Sequence, residues 1–139
     1  MRKGFTLIEL LVVISLIGIL STLILANLNS ARERSRDVQR KSDLRNIQTA
    51  LRLYYNDAGG YPATASLPAW GSQWIVGTTV YMNILPSDPL ASQSYRYTQT
   101  DSETYTIESC LENKSDDKGV ATTDTIWCSS GWEYKVSQQ

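Results

Sequence analysis

The 139-residue chain contains no histidine. That removes the commonest general base, the Ser–His and Cys–His dyads, and most zinc sites. Only two cysteines occur, Cys110 and Cys128. A four-thiolate zinc or iron–sulfur site within one chain is therefore excluded. Charge of one sign is also lacking: 13 basic residues stand against 14 acidic ones, a net charge of −1. Bulk charge thus gives no reason to expect a nucleic-acid partner. Between Ser21 and Ala58 there is neither proline nor glycine, so nothing in that stretch breaks a helix. Carboxylate or lysine catalysis survives on composition, but no spaced carboxylate pair flanks a recognisable cleft pattern. The chain reads as a non-enzyme.

What is present divides into segments suited to different solvents. After Met1-Arg2-Lys3-Gly4, the run Phe5 to Leu28 is apolar apart from small polar residues, and Glu9 is its one charge. Twenty-four helical residues measure roughly 36 Å. A bilayer core is about 30 Å thick, so residues 5–28 can span it. A secretory signal would have a shorter apolar run, usually followed by a small-x-small cleavage site; a retained membrane helix is the better reading. A carboxylate within such a helix costs roughly 3 kcal/mol or more at the bilayer centre. Glu9 therefore either lies near the surface, within reach of water, or has a cationic partner on another chain.

Residues 29–56 carry seven basic side chains (Arg32, Arg34, Arg36, Arg40, Lys41, Arg45, Arg52) and three acidic ones (Glu33, Asp37, Asp43). Apolar residues recur at Val38, Leu44, Ile47, Leu51 and Tyr54 or Tyr55, with three-then-four spacing over Leu44, Ile47 and Leu51. That is one helical face, and the basic residues read as its solvated opposite rather than as a DNA surface. Asn56-Asp57-Ala58-Gly59-Gly60-Tyr61-Pro62 ends the helix, with glycine for the left-handed cap and proline beyond.

Residues 57–139 hold four basic residues (Arg96, Lys114, Lys118, Lys135) against ten acidic ones. Strand composition occurs at Tyr95–Thr98, Thr104–Ile107, Thr125–Cys128 and Trp132–Val136. A sheet this small needs a partner surface. The expected fold is α+β: a long N-terminal helix, membrane-spanning in its first half, with a small antiparallel sheet packed on its second half.

Gly4-Phe5-Thr6-Leu7-Ile8-Glu9-Leu10-Leu11-Val12-Val13-Ile14 resembles the N-terminal signature of type IV pilins and type II secretion pseudopilins. The resemblance implies a four-residue leader, residues 1–4, removed by prepilin peptidase between Gly4 and Phe5. It implies methylation of the new Phe5 amine by the same enzyme. It makes Glu9 the assembly residue, pairing with the terminal amine of a neighbouring subunit, so that two charges costly alone become tolerable together and set the register. Gly18 fits either a loosened helix or close helix packing.

Leu85-Pro86-Ser87-Asp88-Pro89 followed by Tyr95-Arg96-Tyr97 is similar to a pattern in major pseudopilins of type II secretion. Asn46–Leu51 and Tyr54–Pro62 also resemble that group and its pilin relatives. Those pseudopilins continue with Trp-Gly and an acidic calcium loop, whereas here Leu90-Ala91 follows. Asp116, Asp117 and Asp124 could offer oxygens to calcium, but their spacing fits no standard loop; the expectation is no cofactor and no metal. Two free thiols or one bridge both fit Cys110 and Cys128 by themselves. The resemblance favours a C-terminal disulfide loop, of about 19 residues and about 3 kcal/mol. Arg and Lys counts at the two membrane ends favour the opposite orientation, but the resemblance places the C-terminal domain outside. Asn113-Lys114-Ser115 fits a glycosylation sequon.

The expected function is that of a pilin: a structural subunit polymerised through its N-terminal helix into a homo-oligomeric helical filament. The resemblance supplies its partners, namely the cytoplasmic membrane before assembly, prepilin peptidase and a pilus assembly platform. The final location would be an extracellular filament, with adhesion and motility as associated roles. The alternatives are a major pseudopilin of a secretion or competence system, or a minor pilin used in adhesion or DNA uptake.

Overall fold

Helix α1 runs from Leu7 to Ala58, 52 residues, in a computed structural model that describes residues 4–138. Six strands follow: β1 (Trp74–Val76), β2 (Thr79–Met82), β3 (Arg96–Gln99), β4 (Tyr105–Cys110), β5 (Val120–Ala121) and β6 (Trp132–Gln138). A short 3-10 turn lies at Thr64–Ser66. The architecture is α+β. The chain forms two units, one ending at Glu33 and one beginning at Arg34.

In the first unit the helix has no core of its own. Phe5 and Leu7 are each 82% exposed, and Leu10 to Ile14, Leu16, Ile17, Ile19 and Leu20 are exposed as well. Its hydroxyl groups are tied back to the helix: Ser15 donates to the Leu11 carbonyl, Ser21 to that of Ile17 and Thr22 to that of Ile19, each at 2.8 Å. Such bonds satisfy a polar side chain without any outside partner, which suits an apolar surrounding.

In the second unit, helix positions 37, 40, 44, 47 and 51 are buried, as is Ala50. The spacing is three, four, three, four, a continuous stripe. Leu44, Ile47, Ala50 and Leu51 meet Tyr61, Trp74, Leu85, Tyr95, Tyr97, Tyr105 and Ile107 in one core. Val38, expected on the buried face, is 65% exposed. The Asp37 and Arg40 side chains occupy the buried stripe instead. The reading of the basic segment as a solvated face is thus corrected at those two positions. α1 ends where Gly59, at φ 73°, donates its N–H to the Tyr55 carbonyl at 2.8 Å; only glycine adopts that conformation without strain.

The main sheet is antiparallel in the order β3-β4-β6-β5. In β4, Tyr105 and Ile107 point into the core. The core is rich in tyrosine, and its rings pack in edge-to-face, tilted and stacked pairs, as in Tyr61 edge to face against Tyr105 with centroids 4.5 Å apart and Tyr54 stacked on Trp74. Two of the tyrosine hydroxyls reach polar partners, Tyr97 donating to the Pro62 carbonyl at 2.8 Å and Tyr95 to Asp43 at 2.7 Å, whereas the buried Tyr105 hydroxyl has no hydrogen-bond partner among the described residues. This lets a tyrosine core close with few buried polar groups left unpaired.

Two strand expectations need correction. Thr125–Cys128 is a turn, not a strand. Its donors are used locally, with the Trp127 N–H on the Asp124 carboxylate and the Cys128 N–H on the Asp124 carbonyl. The Arg96 guanidinium stacks 4.3 Å above the Trp127 ring and holds the turn against β3. Conversely, β1 and β2 form a hairpin that composition did not reveal. Gly77, at φ 60°, opens its two-residue turn, a position that favours glycine.

Candidate functional site

The N-terminal signature begins with Gly4, where a Cβ would meet nothing within 4 Å, and the highly exposed Phe5. The Thr6 N–H and hydroxyl both donate to Glu9 Oε2, at 2.8 and 2.7 Å, and the Glu9 N–H donates to Thr6 Oγ1 at 3.3 Å. This is a reciprocal capping box at the start of α1, satisfying backbone donors that the helix leaves open. Within the single chain, then, the Glu9 carboxylate is held by its own helix terminus. Sequence reasoning gave Glu9 two alternatives, water or another chain, and missed this third one. The Thr-x-x-Glu spacing was the signal that could have shown it.

The second unit contains a charged clamp. The Arg40 side chain has no solvent exposure. Its Nε and Nη2 donate to the two oxygens of Asp88 at 2.7 and 2.8 Å. Nη1 donates to Asp37 at 2.8 Å and to Glu112 at 2.7 Å. Asp37 in turn accepts the N–H groups of Glu112 and Asn113 at 3.0 and 2.8 Å. Asp88 accepts the Leu90 N–H at 2.8 Å. One guanidinium therefore joins α1 to the Leu85–Leu90 segment and to the chain leaving β4. Burial opposes the charge on Arg40, but the hydrogen bonds to Asp88, Glu112 and Asp37 outweigh it and hold its pKa above the ordinary arginine value. The pKa of Glu112 is lowered, chiefly by its hydrogen bond from Arg36 and then by Arg40.

Cys110 and Cys128 are joined by a disulfide, with Cα atoms 5.2 Å apart. The loop between them is held along its length: Glu112 by Arg36 and Arg40, Asp116 by Lys41, and Asp124 by Arg96 at 2.7 Å. The structure does not bring Asp116, Asp117 and Asp124 together. Among the described residues no three Asp, Glu, Cys or His side chains are placed to hold a metal ion. Asp37, Asp88 and Glu112 do converge, and the cation among them is Arg40.

The described residues thus combine an exposed apolar helix long enough to cross a membrane, a capping carboxylate in its first turn and a small clamped α+β unit. The family profile "Prokaryotic N-terminal methylation motif" matches residues 1–25. The type II secretion system core protein G of Klebsiella pneumoniae is 32% identical over 103 residues, covering 66% of this chain and 71% of that protein. The protein of the same name from Escherichia coli K12 is 32% identical over 98 residues, 63% of this chain and 66% of that protein. The type IV major pilin protein PilA of Myxococcus xanthus is 34% identical over 60 residues, 43% of this chain and 27% of that protein. The chain belongs to the family of type II secretion pseudopilins and type IV pilins. It spans 40% of the length of the similar Pectobacterium carotovorum protein G. No solved structure matches it significantly.

Proposed function

We propose that the chain is the repeating structural subunit of a type IV pilus-like filament and has no catalytic activity. It is inserted in the cytoplasmic membrane as a precursor and cut by prepilin peptidase between Gly4 and Phe5. It is then methylated at Phe5 and polymerised through α1 on an assembly platform into an extracellular fibre. The observation that carries this reading is the exposure of apolar side chains from Phe5 to Leu20. So long an apolar surface is stable only against lipid or other helices. Glu9 would exchange its intramolecular Thr6 bonds for the Phe5 amine of a neighbour, a charge pair favoured in the dry fibre interior.

The reading needs no metal. Asp116 and Asp124 are already neutralised by Lys41 and Arg96, which supports a loop closed by in-chain cations and the disulfide. The expected result is an identical unfolding midpoint in calcium and in chelator.

A second reading, a major pseudopilin of type II secretion, is favoured by the Leu85–Pro89 segment and by the names of the protein G relatives. Shearing cells and weighing the released protein separates these readings. Long abundant fibres of chains beginning at methylated Phe5, two hydrogens light for the disulfide, support the pilus subunit. Processed chains confined to the membrane fraction support the pseudopilin. Chains still bearing Met1–Gly4 in mature fibres overturn both. Glu9→Gln is expected to leave cleavage intact and abolish fibres.

A further inference from the structure

The second unit carries a cationic cleft near one end of its helix and an acidic knob at the other. The cleft consists of two adjoining hollows of about 390 Å³ each between α1 and residues 113–118, sharing Val38 and Asp117. Arg34 lines one, and Lys41, Arg45 and Lys118 line the other. Lys41 is engaged by Asp116, whereas no carboxylate among the described residues forms an ion pair with Arg34, Arg45 or Lys118. Val38 forms an apolar floor, 65% exposed. Asp117 is the one acidic residue lining the cleft without an ion pair.

The knob is the turn between β3 and β4, Thr100 to Thr104. Asp101, Ser102 and Glu103 are exposed. The turn is preorganised: the Glu103 N–H donates to Asp101 Oδ1 at 2.8 Å, and the Thr100 N–H donates to the Thr104 carbonyl at 3.0 Å. It is fixed to the last turn of α1 by the Tyr55 hydroxyl on Glu103, and to the segment just after the helix by the Tyr61 N–H on the Ser102 carbonyl at 2.8 Å. Asp57, in the last turn of α1, is also exposed and accepts the Tyr81 hydroxyl at 3.0 Å. About 28 Å of helix separates Val38 from Asp57.

We propose that the Asp101–Glu103 turn of one copy of this chain docks in the Val38 cleft of a second copy, its carboxylates facing Arg34, Arg45 and Lys118. This rests on the filament reading and adds to it a specific contact between the outer domains. Cleft and knob are different patches at opposite ends of one unit. Their union is heterologous, so each copy offers a free cleft and a free knob to the next, and the contact propagates rather than closing as a twofold pair. Opposite potentials on the two patches select orientation and register. A rigid knob loses little conformational entropy on docking.

The test is oxidative cross-linking of the full chain carrying Val38→Cys and Asp101→Cys, in sheared fibres and in membranes. The native disulfide is internal and buried, so it does not contribute. The expected result is a ladder of dimers, trimers and higher species from the double variant and none from either single variant. In parallel, the pair Asp101→Lys and Glu103→Lys is expected to lower fibre yield at least tenfold, as is the pair Arg45→Glu and Lys118→Glu. Combining the two pairs is expected to restore most of it. Wild-type fibres without a ladder in the double variant, dimers from a single variant, or wild-type yield from the charge-reversed pairs would overturn the contact and leave the filament reading standing. If wild-type chains never enter the sheared fraction, the filament reading fails. A ladder in the membrane fraction then still supports the contact, and its absence there overturns it.

Discussion

Arg40 and Asp88, 48 residues apart in sequence, meet in a two-pronged ion pair at 2.7 and 2.8 Å, both side chains shielded from solvent. The planar fork of the guanidinium matches the carboxylate oxygens, a geometry that lysine cannot reproduce. Removing one partner leaves a buried charge uncompensated, which costs about 3–5 kcal/mol. Arg40→Met and Asp88→Asn are each expected to destabilise the folded unit by that amount in chemical denaturation of the detergent-solubilised chain. Arg32→Met, at an exposed helix position, is expected to stay within about 0.5 kcal/mol of wild type. Equal effects at Arg32 and Arg40 would contradict the clamp.

Acid is expected to loosen the disulfide loop. Glu112 has its pKa lowered by Arg36 and Arg40; Asp116 has its own lowered because Lys41 outweighs burial. A carboxylate whose folded pKa is depressed contributes stability above its unfolded pKa and loses it as pH falls through the folded value. The denaturation midpoint should therefore be flat from pH 7 to about 5 and fall below about pH 4.5. Glu112→Gln should flatten part of that fall.

The alkaline limit has the opposite sign. Burial pushes the Tyr105 hydroxyl up to about 12, and Tyr95 and Tyr97 are also raised by burial. A raised tyrosine favours the folded state only while the unfolded residue remains protonated. Stability is expected to fall as pH rises from about 10 toward 12. Tyr105→Phe should remove part of that fall.

Breaking the disulfide by Cys110→Ser with Cys128→Ser removes a cross-link with a sequence separation of 18. The expected loss is about 3 kcal/mol. The loop also has Lys41–Asp116 and Arg96–Asp124. Its amides should keep more protection from hydrogen exchange in this variant than in one that also carries Lys41→Ala.

Gly119 is required by contact rather than by backbone angle. A Cβ at that position would lie 1.9 Å from Trp132 Nε1. Gly119→Ala must displace the half-buried Trp132 ring on β6, at a cost of about 1–3 kcal/mol. A thermal midpoint unchanged from wild type would show that the ring moves freely.

Much of the plan of this protein was legible in its residues one segment at a time. A long apolar run needs only length and composition to be read as a membrane-length helix, because each residue contributes independently to transfer from water. Gly59, and the alternation of Tyr105 and Ile107, act through local backbone geometry and were equally visible. The hairpin of β1 and β2 was missed because Trp74–Val76 and Thr79–Met82 are too short to show a period. Thr125–Cys128 was misread because its strand propensity is overridden by Asp124, Arg96 and the disulfide. Only the tertiary structure decided that Asp37 and Arg40 lie inside. By composition they belong to a charged, solvated face. They can be buried because Asp88 and the start of the disulfide loop, both remote in sequence, arrive with the partners that offset the loss of water.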